Sequence, residues 1–158
     1  IERESISMPS ANIKKEISCS KENLIKMVLD IEKYPEFVPW CMNGKIHSKN
    51  DKGDIIEIKA DLTIGKNFFN ETYKSLVIYK KFSDTIHVTN INGPLKHLEN
   101  KWIFKQKGKK SEVDFHVDFE LKNKILNSLM IKSFNIGLKK IADAFEKRAI
   151  ELFKNTQN

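Results

Sequence analysis

The side chains best equipped for chemistry in this chain are four histidines and two cysteines. His47, His87, His97 and His116 are scattered along the sequence, without the paired spacing of a metal site. His116 lies between Asp114 and Asp118 in "EVDFHVDFEL", an alternating stretch that puts all three on the wet face of a strand. A satisfied surface cluster is expected there rather than an acid–base pair. Cys41 offers a thiol nucleophile, but no neighbouring base accompanies it, and free cysteines are commonly just buried. Cys19 and Cys41 have neither metal nor redox spacing, which fits a reducing compartment. The sequence therefore predicts no catalytic residue, no metal site and no required cofactor.

A different resource stands out in "YPEFVPWC", residues 34 to 41. Tyr34, Phe37 and Trp40 share this segment with Pro35 and Pro39. Pro39 excludes a helix interior, and a proline fits a central strand poorly. Large aromatic area thus sits on an irregular, proline-stiffened piece of chain, where it is presented at little entropic cost. Two roles fit: a plug that fills the end of a curled sheet, or a gate at the mouth of a cavity. Both remain open, and they are compatible.

The elements that must position this segment follow from periodicity. "NIKKEISC" reads as a first strand, and Ser20 as the N-cap of a helix whose apolar face is Leu24, Met27, Val28 and Ile31. Tyr34-Pro35 closes it. After the aromatic segment and a glycine-containing loop, the period becomes two. Ile56, Ile58, Ala60, Leu62 and Ile64 share one face of a half-buried strand. Gly65-Lys66 reads as a tight turn into "NFFNETYKSLVIY"; "DTIHVTNI" and "KHLENKWIFKQ" follow, separated by a Gly93-Pro94 turn. Basic "KGKK" reads as a hairpin loop. Val113, Phe115, Val117, Phe119 and Leu121 then define the clearest strand, whose register is fixed by five apolar side chains. From Lys124 an apolar stripe at helical spacing runs about thirty residues, much longer than the usual globular helix. The order is strand, helix, five or six antiparallel strands, long helix. This is an α+β, helix-grip arrangement: a curved antiparallel sheet wrapped around a long C-terminal helix.

A chain of 158 residues suits one domain. Residues 1–7 are expected to be a poorly ordered tail ahead of a single domain spanning 8–158. No apolar run approaches the roughly 18–20 residues of a membrane span. The net charge of +7 comes almost wholly from lysine, with only Arg3 and Arg148 as arginines. Scarce arginine argues against a refined phosphate-recognition site, so no DNA partner is expected. A loose attraction to anionic surfaces remains.

Three segments together carry a resemblance: "DIEKYPEFVPWC", "GPLKHLENKWIF" and "VDFHVDFELKNKILNSL". Across nearly the whole chain from Met8, the sequence resembles the coenzyme Q-binding branch of the START-like, polyketide-cyclase-like superfamily. Bacterial members of that branch are also described as ribosome association toxins. Asn100 stands where the family often has Gly, and Asn tolerates a left-handed backbone better than most residues.

The resemblance implies a helix-grip cavity for a hydrophobic ligand, with ubiquinone foremost, in a non-catalytic carrier that assists respiratory electron transport. The expected ligand contacts are Tyr34, Pro35, Phe37, Val38 and Trp40 from the aromatic segment. Phe69, Tyr73, Leu95, Trp102, Phe119, Met130 and Phe134 join them from the strands and the long helix. Trp102, Tyr73 and Asn100 offer polar atoms for a quinone carbonyl. The implied setting is the cytoplasmic side of a bacterial inner membrane, or the matrix side of the mitochondrial one. Lys105, Lys107, Lys109, Lys110, Lys139 and Lys140 would then rest near anionic head groups. Two competitors follow from the same resemblance: binding of the large ribosomal subunit to inhibit translation, and polyketide cyclase or dehydrase activity. The last needs a polar acid–base pair inside the cavity, and the sequence supplies none.

Overall fold

Ser20 starts the first helix as its side chain suggests: its hydroxyl accepts the Asn23 N–H at 3.2 Å, satisfying one of the free donors of the first turn. The computed structural model describes residues 10–66, 69–93 and 95–153. The expected tail at residues 1–7 lies outside them. In chain order the elements are β1 (Ser10–Ile17), α1 (Lys21–Leu29), a 3-10 helix (Ile31–Glu36), β2 (Cys41–Asp51) and β3 (Ile55–Lys66). They continue with β4 (Phe69–Lys80), β5 (Thr85–Asn92), β6 (Leu95–Lys107), β7 (Lys110–Leu121) and α2 (Lys124–Phe153).

The seven strands form one antiparallel sheet in the order β1-β7-β6-β5-β4-β3-β2. Consecutive strands from β2 to β7 are neighbours, while β1 crosses over to pair with β7, Ser10 opposite Asp118 and Ile17 opposite Ser111. Thirty-residue α2 lies on the inner face, resting mainly on β1 and β7 and touching α1. Alternation decides which side chains face it. Ile58, Val77, Ile86, Phe104 and Val113 point inward and are 6% exposed or less, joined by Leu24, Met27 and Val28 of α1 and by Phe145 and Ala149 of α2.

Three local expectations are corrected. The stretch after the aromatic segment, expected as a loop, is strand β2. As an edge strand with mostly exposed side chains it lacks the apolar alternation that marks a buried one. Gly65 and Lys66 are not the turn; they pair with Asn70 and Phe69 as the last rungs of the β3–β4 ladder. Asn100 sits in regular register between Val88 and Val117, without a positive φ. The irregularity of β6 falls instead between Leu95 and His97.

Gly44 of β2 is dictated by packing. A Cβ there would lie 2.4 Å from the backbone oxygen of Ile31, so only glycine lets β2 and the 3-10 helix approach this closely.

Candidate functional site

The aromatic segment divides into two parts with different partners. Tyr34 and Phe37 lie on the 3-10 helix and at its end, and both rings meet Phe145 of α2 edge-on, at centroid distances of 5.3 and 5.1 Å. The Tyr34 hydroxyl donates to the Val28 carbonyl at the end of α1. Burial raises its pKa well above the usual phenol range. Arg148, one turn beyond Phe145, binds Glu36 at 2.8 Å and lies over the Phe37 ring at 5.3 Å. This half of the motif is a plug that fastens the 3-10 helix to α2. Val38 packs half-buried against the same core, whereas Pro35 is exposed and stiffens the segment without lining the interior.

Trp40 goes elsewhere. Its backbone takes φ +63°, a left-handed conformation that costs a non-glycine residue roughly 1–2 kcal/mol. The Gly65 N–H donates to its carbonyl at 2.9 Å, which ties it to the far end of β3. Its indole reaches α2 at Gly137, where a Cβ would stand 3.7 Å from the ring. Strained backbone that is held by its surroundings collects at functional positions. Trp40 stands between the β3–β4 end of the sheet and the middle of α2.

Between the Tyr34–Phe37 cluster and Trp40 the interior changes character. At the plugged end the inner face is closed: Ile58 is 0% exposed, Ile86 1% and Phe104 2%. The void there, lined by Ile13, Leu24, Trp102, Phe115, Ile141 and Phe145 among others, measures about 30 Å³, room for a single water. Lys15 crosses from β1 to cap it, held by Asp143 at 2.8 Å and Glu146 at 2.9 Å. Towards the β3–β4 end, Leu62, Tyr73, Val88, Leu98 and Trp102 follow on the same inner face but are only half-buried. They form a half-buried apolar wall.

Polar groups gather along that wall. Ser75 of β4 faces Asn90 of β5. The Asn90 side chain accepts from Leu98 N–H at 3.1 Å and donates to the Leu95 carbonyl at 3.3 Å, stitching β5 to β6 where the register shifts. Asn100 points between Val88 and Val117, and its buried side-chain oxygen has no hydrogen-bond partner among the described residues. Such an orphan in apolar surroundings calls for an explanation. Burial, with Glu71 nearby, pushes the Tyr73 hydroxyl up to about 12.

The remaining expected contacts fall in place unevenly. Phe119 and Leu95 are 7% and 8% exposed. Phe119 is covered by half-buried Phe134 at a centroid distance of 4.8 Å. Trp102 joins the two ends, tilted on Phe115 at 4.4 Å and edge-on to Phe145 at 5.3 Å. The side chains of Phe69 and Met130 lie outside the described residues. Phe145, which holds Tyr34, Phe37 and Trp102 together, was legible as one member of the helix stripe, but its role as the hub was not.

An antiparallel sheet gripping one long C-terminal helix is the arrangement of START-like proteins. A START superfamily protein from Mycobacterium smegmatis has the same fold, with a TM-score of 0.78 at 19% identity over 92% of this chain and 99% of that one. Residues 19–146 match the family described as polyketide cyclase / dehydrase and lipid transport, and the chain belongs to that family. It is 33% identical over 136 residues to the ribosome association toxin RatA of Rickettsia prowazekii, covering 84% of this chain and 90% of that protein. It is 30% identical over 147 residues to the mitochondrial coenzyme Q-binding protein COQ10 of Dictyostelium discoideum, covering 91% of this chain and 70% of that one. Among the described residues, no helix is long and apolar enough to cross a membrane.

Proposed function

We propose that the protein is a non-catalytic carrier of a ubiquinone-class lipid, taken up past Trp40 into the half-covered end of the grip. One observation carries this reading: the buried side-chain oxygen of Asn100, without a hydrogen-bond partner among the described residues and set in an apolar wall. A carboxamide turned over presents its NH₂, so Asn100 can donate to a quinone carbonyl while Val88, Leu98 and Trp102 flank the ring. A pocket mainly apolar, with few polar anchors, suits such a ligand. The relative named as coenzyme Q-binding supports it. All four histidines pair with carboxylates on the outer face, which gives a cyclase mechanism no imidazole inside.

Trp40 and Trp102 are the only tryptophans. Titration with a short-tailed ubiquinone should therefore quench their emission saturably, and organic extraction of purified protein should yield quinone by mass spectrometry. Asn100→Leu should weaken binding about tenfold, the effect of losing a hydrogen bond worth roughly 1.5 kcal/mol. The absence of both quenching and extracted quinone in repeated trials would sink the proposal.

A second reading, binding to the large ribosomal subunit, is favoured by the filled end of the interior and by the name of the Rickettsia relative. Exposed Lys105, Lys109 and Lys110 around the β6–β7 hairpin would meet phosphate there. Cosedimentation with that subunit, weakening steeply with salt, is its test. Failure to sediment at low salt discards it.

A further inference from the structure

Scattered in the sequence, three of the four histidines converge in the fold. They meet on the outer face where β5, β6 and β7 run side by side, on the reverse of the wall that carries Asn100. His97 and Glu99 are alternate residues of β6, and His116 and Asp118 are alternate residues of β7, with Glu99 directly opposite Asp118. His97 Nε2 lies 2.9 Å from one Asp118 oxygen, and His116 Nε2 lies 2.9 Å from the other. On β5, His87 Nε2 is 3.2 Å from Glu99 Oε1.

Two carboxylates directly opposite each other on paired strands repel. A cation between them removes that cost. Lys96, the nearby ammonium on β6, is engaged with Glu120 at 3.4 Å. Lys101 flanks the cluster on the side of His87 and His116, which leaves the His97 side for an ion. One ligand atom each from His97, Glu99 and Asp118 already lie within 4.8 Å of one another. Closing on a tetrahedral ion with bonds near 2.1 Å requires separations of about 3.4 Å, within reach of side-chain rotation. Asp118 is 16% exposed and the histidines 37–43%, so the carboxylate is seated while the imidazoles face solvent, the route by which an ion enters.

We propose that His97, Glu99 and Asp118, with water in the fourth position, form a site for one divalent transition-metal ion of the zinc type. Imidazole and carboxylate ligands suit that ion, and the β6–β7 register places the three side chains on one face of adjacent strands. The site lies on the opposite face of the sheet from Asn100, and its fate does not depend on which ligand the interior takes. Its effect is to pin β6 to β7 behind Asn100.

The full chain, stripped with chelator, should bind one Zn²⁺ with a dissociation constant in the micromolar range or tighter, and its melting temperature should rise on binding. Co²⁺ should give tetrahedral visible bands without thiolate charge transfer. His97→Ala and Asp118→Asn should each weaken Zn²⁺ binding by at least the roughly 10–100-fold that losing even a supporting partner costs. Asp118→Asn keeps the shape of its side chain, and the melting temperature of each metal-free variant checks its folding. His47→Asn, remote on β2 and paired with Asp61, should leave the titration unchanged. The proposal is overturned by Zn²⁺ binding that is absent or only millimolar, or by binding that neither variant reduces. A thiolate band with Co²⁺, which assigns the ion to Cys19 or Cys41, overturns it equally.

Discussion

The indole of Trp40 lies against Gly137, the one residue of α2 without a side chain, at 3.7 Å from where a Cβ would stand. That separation is ordinary van der Waals contact. A methyl group therefore fits at this position, and only a bulkier side chain would have to displace the indole.

Gly137→Ala should stabilise the protein by about 0.5–1 kcal/mol, the helix-propensity difference, measured by urea unfolding. Gly137→Leu should instead displace the indole, cost about 1–3 kcal/mol, and shift tryptophan emission. If both variants lose stability equally, the Trp40–Gly137 contact is tighter than described.

Gly44→Ala should be the harsher glycine substitution. Its Cβ would meet backbone rather than a movable side chain, so β2 and the 3-10 helix must separate. A loss of about 1–3 kcal/mol or more is expected in the same unfolding assay. A neutral result would show that β2 shifts freely.

Tyr34→Phe should cost about 1–3 kcal/mol, because the Val28 carbonyl loses its partner while the ring contacts to Phe37 and Phe145 survive. Phe145→Ala removes the hub of three aromatic contacts and should cost about 3–5 kcal/mol. Comparable losses from the two would mean that the hydroxyl, not the ring cluster, fastens α2.

Much of this architecture was legible in the sequence because burial imposes a period. The alternation of Val113, Phe115, Val117 and Phe119 could only be a one-sided strand, and the α2 stripe could only be a helix against a core. Strand β2 was not legible: at the edge, Met42, Lys45, Ser48 and Asn50 answer to solvent, and solvent imposes no period. The histidine cluster was hidden for a related reason. Its members are separated by ten or more residues, and only the β5–β6–β7 register brings them together. The plug-or-gate question needed side-chain partners, which no spacing encodes.

Alkaline pH should destabilise the fold. Burial pushes the Cys19 thiol up to about 11, the Tyr73 hydroxyl to about 12, and Tyr34 higher still. Each is released from its proton more easily when unfolded, so above its unfolded value, roughly pH 8.5 for Cys and 10 for Tyr, the unfolded state binds fewer protons and stability falls as pH rises. Lys15 acts in the same direction: its pKa is raised by Asp143 and Glu146, and its contribution fades as pH climbs through that raised value. Melting temperature should decline from about pH 9 upward. A flat profile to pH 11 would contradict the burial of these groups. At pH 8 both thiols should react slowly with a disulfide reagent until denaturant is added, since Cys19 is 0% exposed and Cys41 7%.

The crossover of β1 has a temporal consequence. Strand β1 finds its neighbour among the described strands in β7, about a hundred residues later, with Ser10 opposite Asp118. During synthesis its edge must wait, unpaired, until almost the entire sheet has emerged, while the β2-to-β7 meander zips up locally behind it. Pairing of β1 is therefore a long-range step that cannot precede synthesis of β7, and until then its edge is open to mispairing.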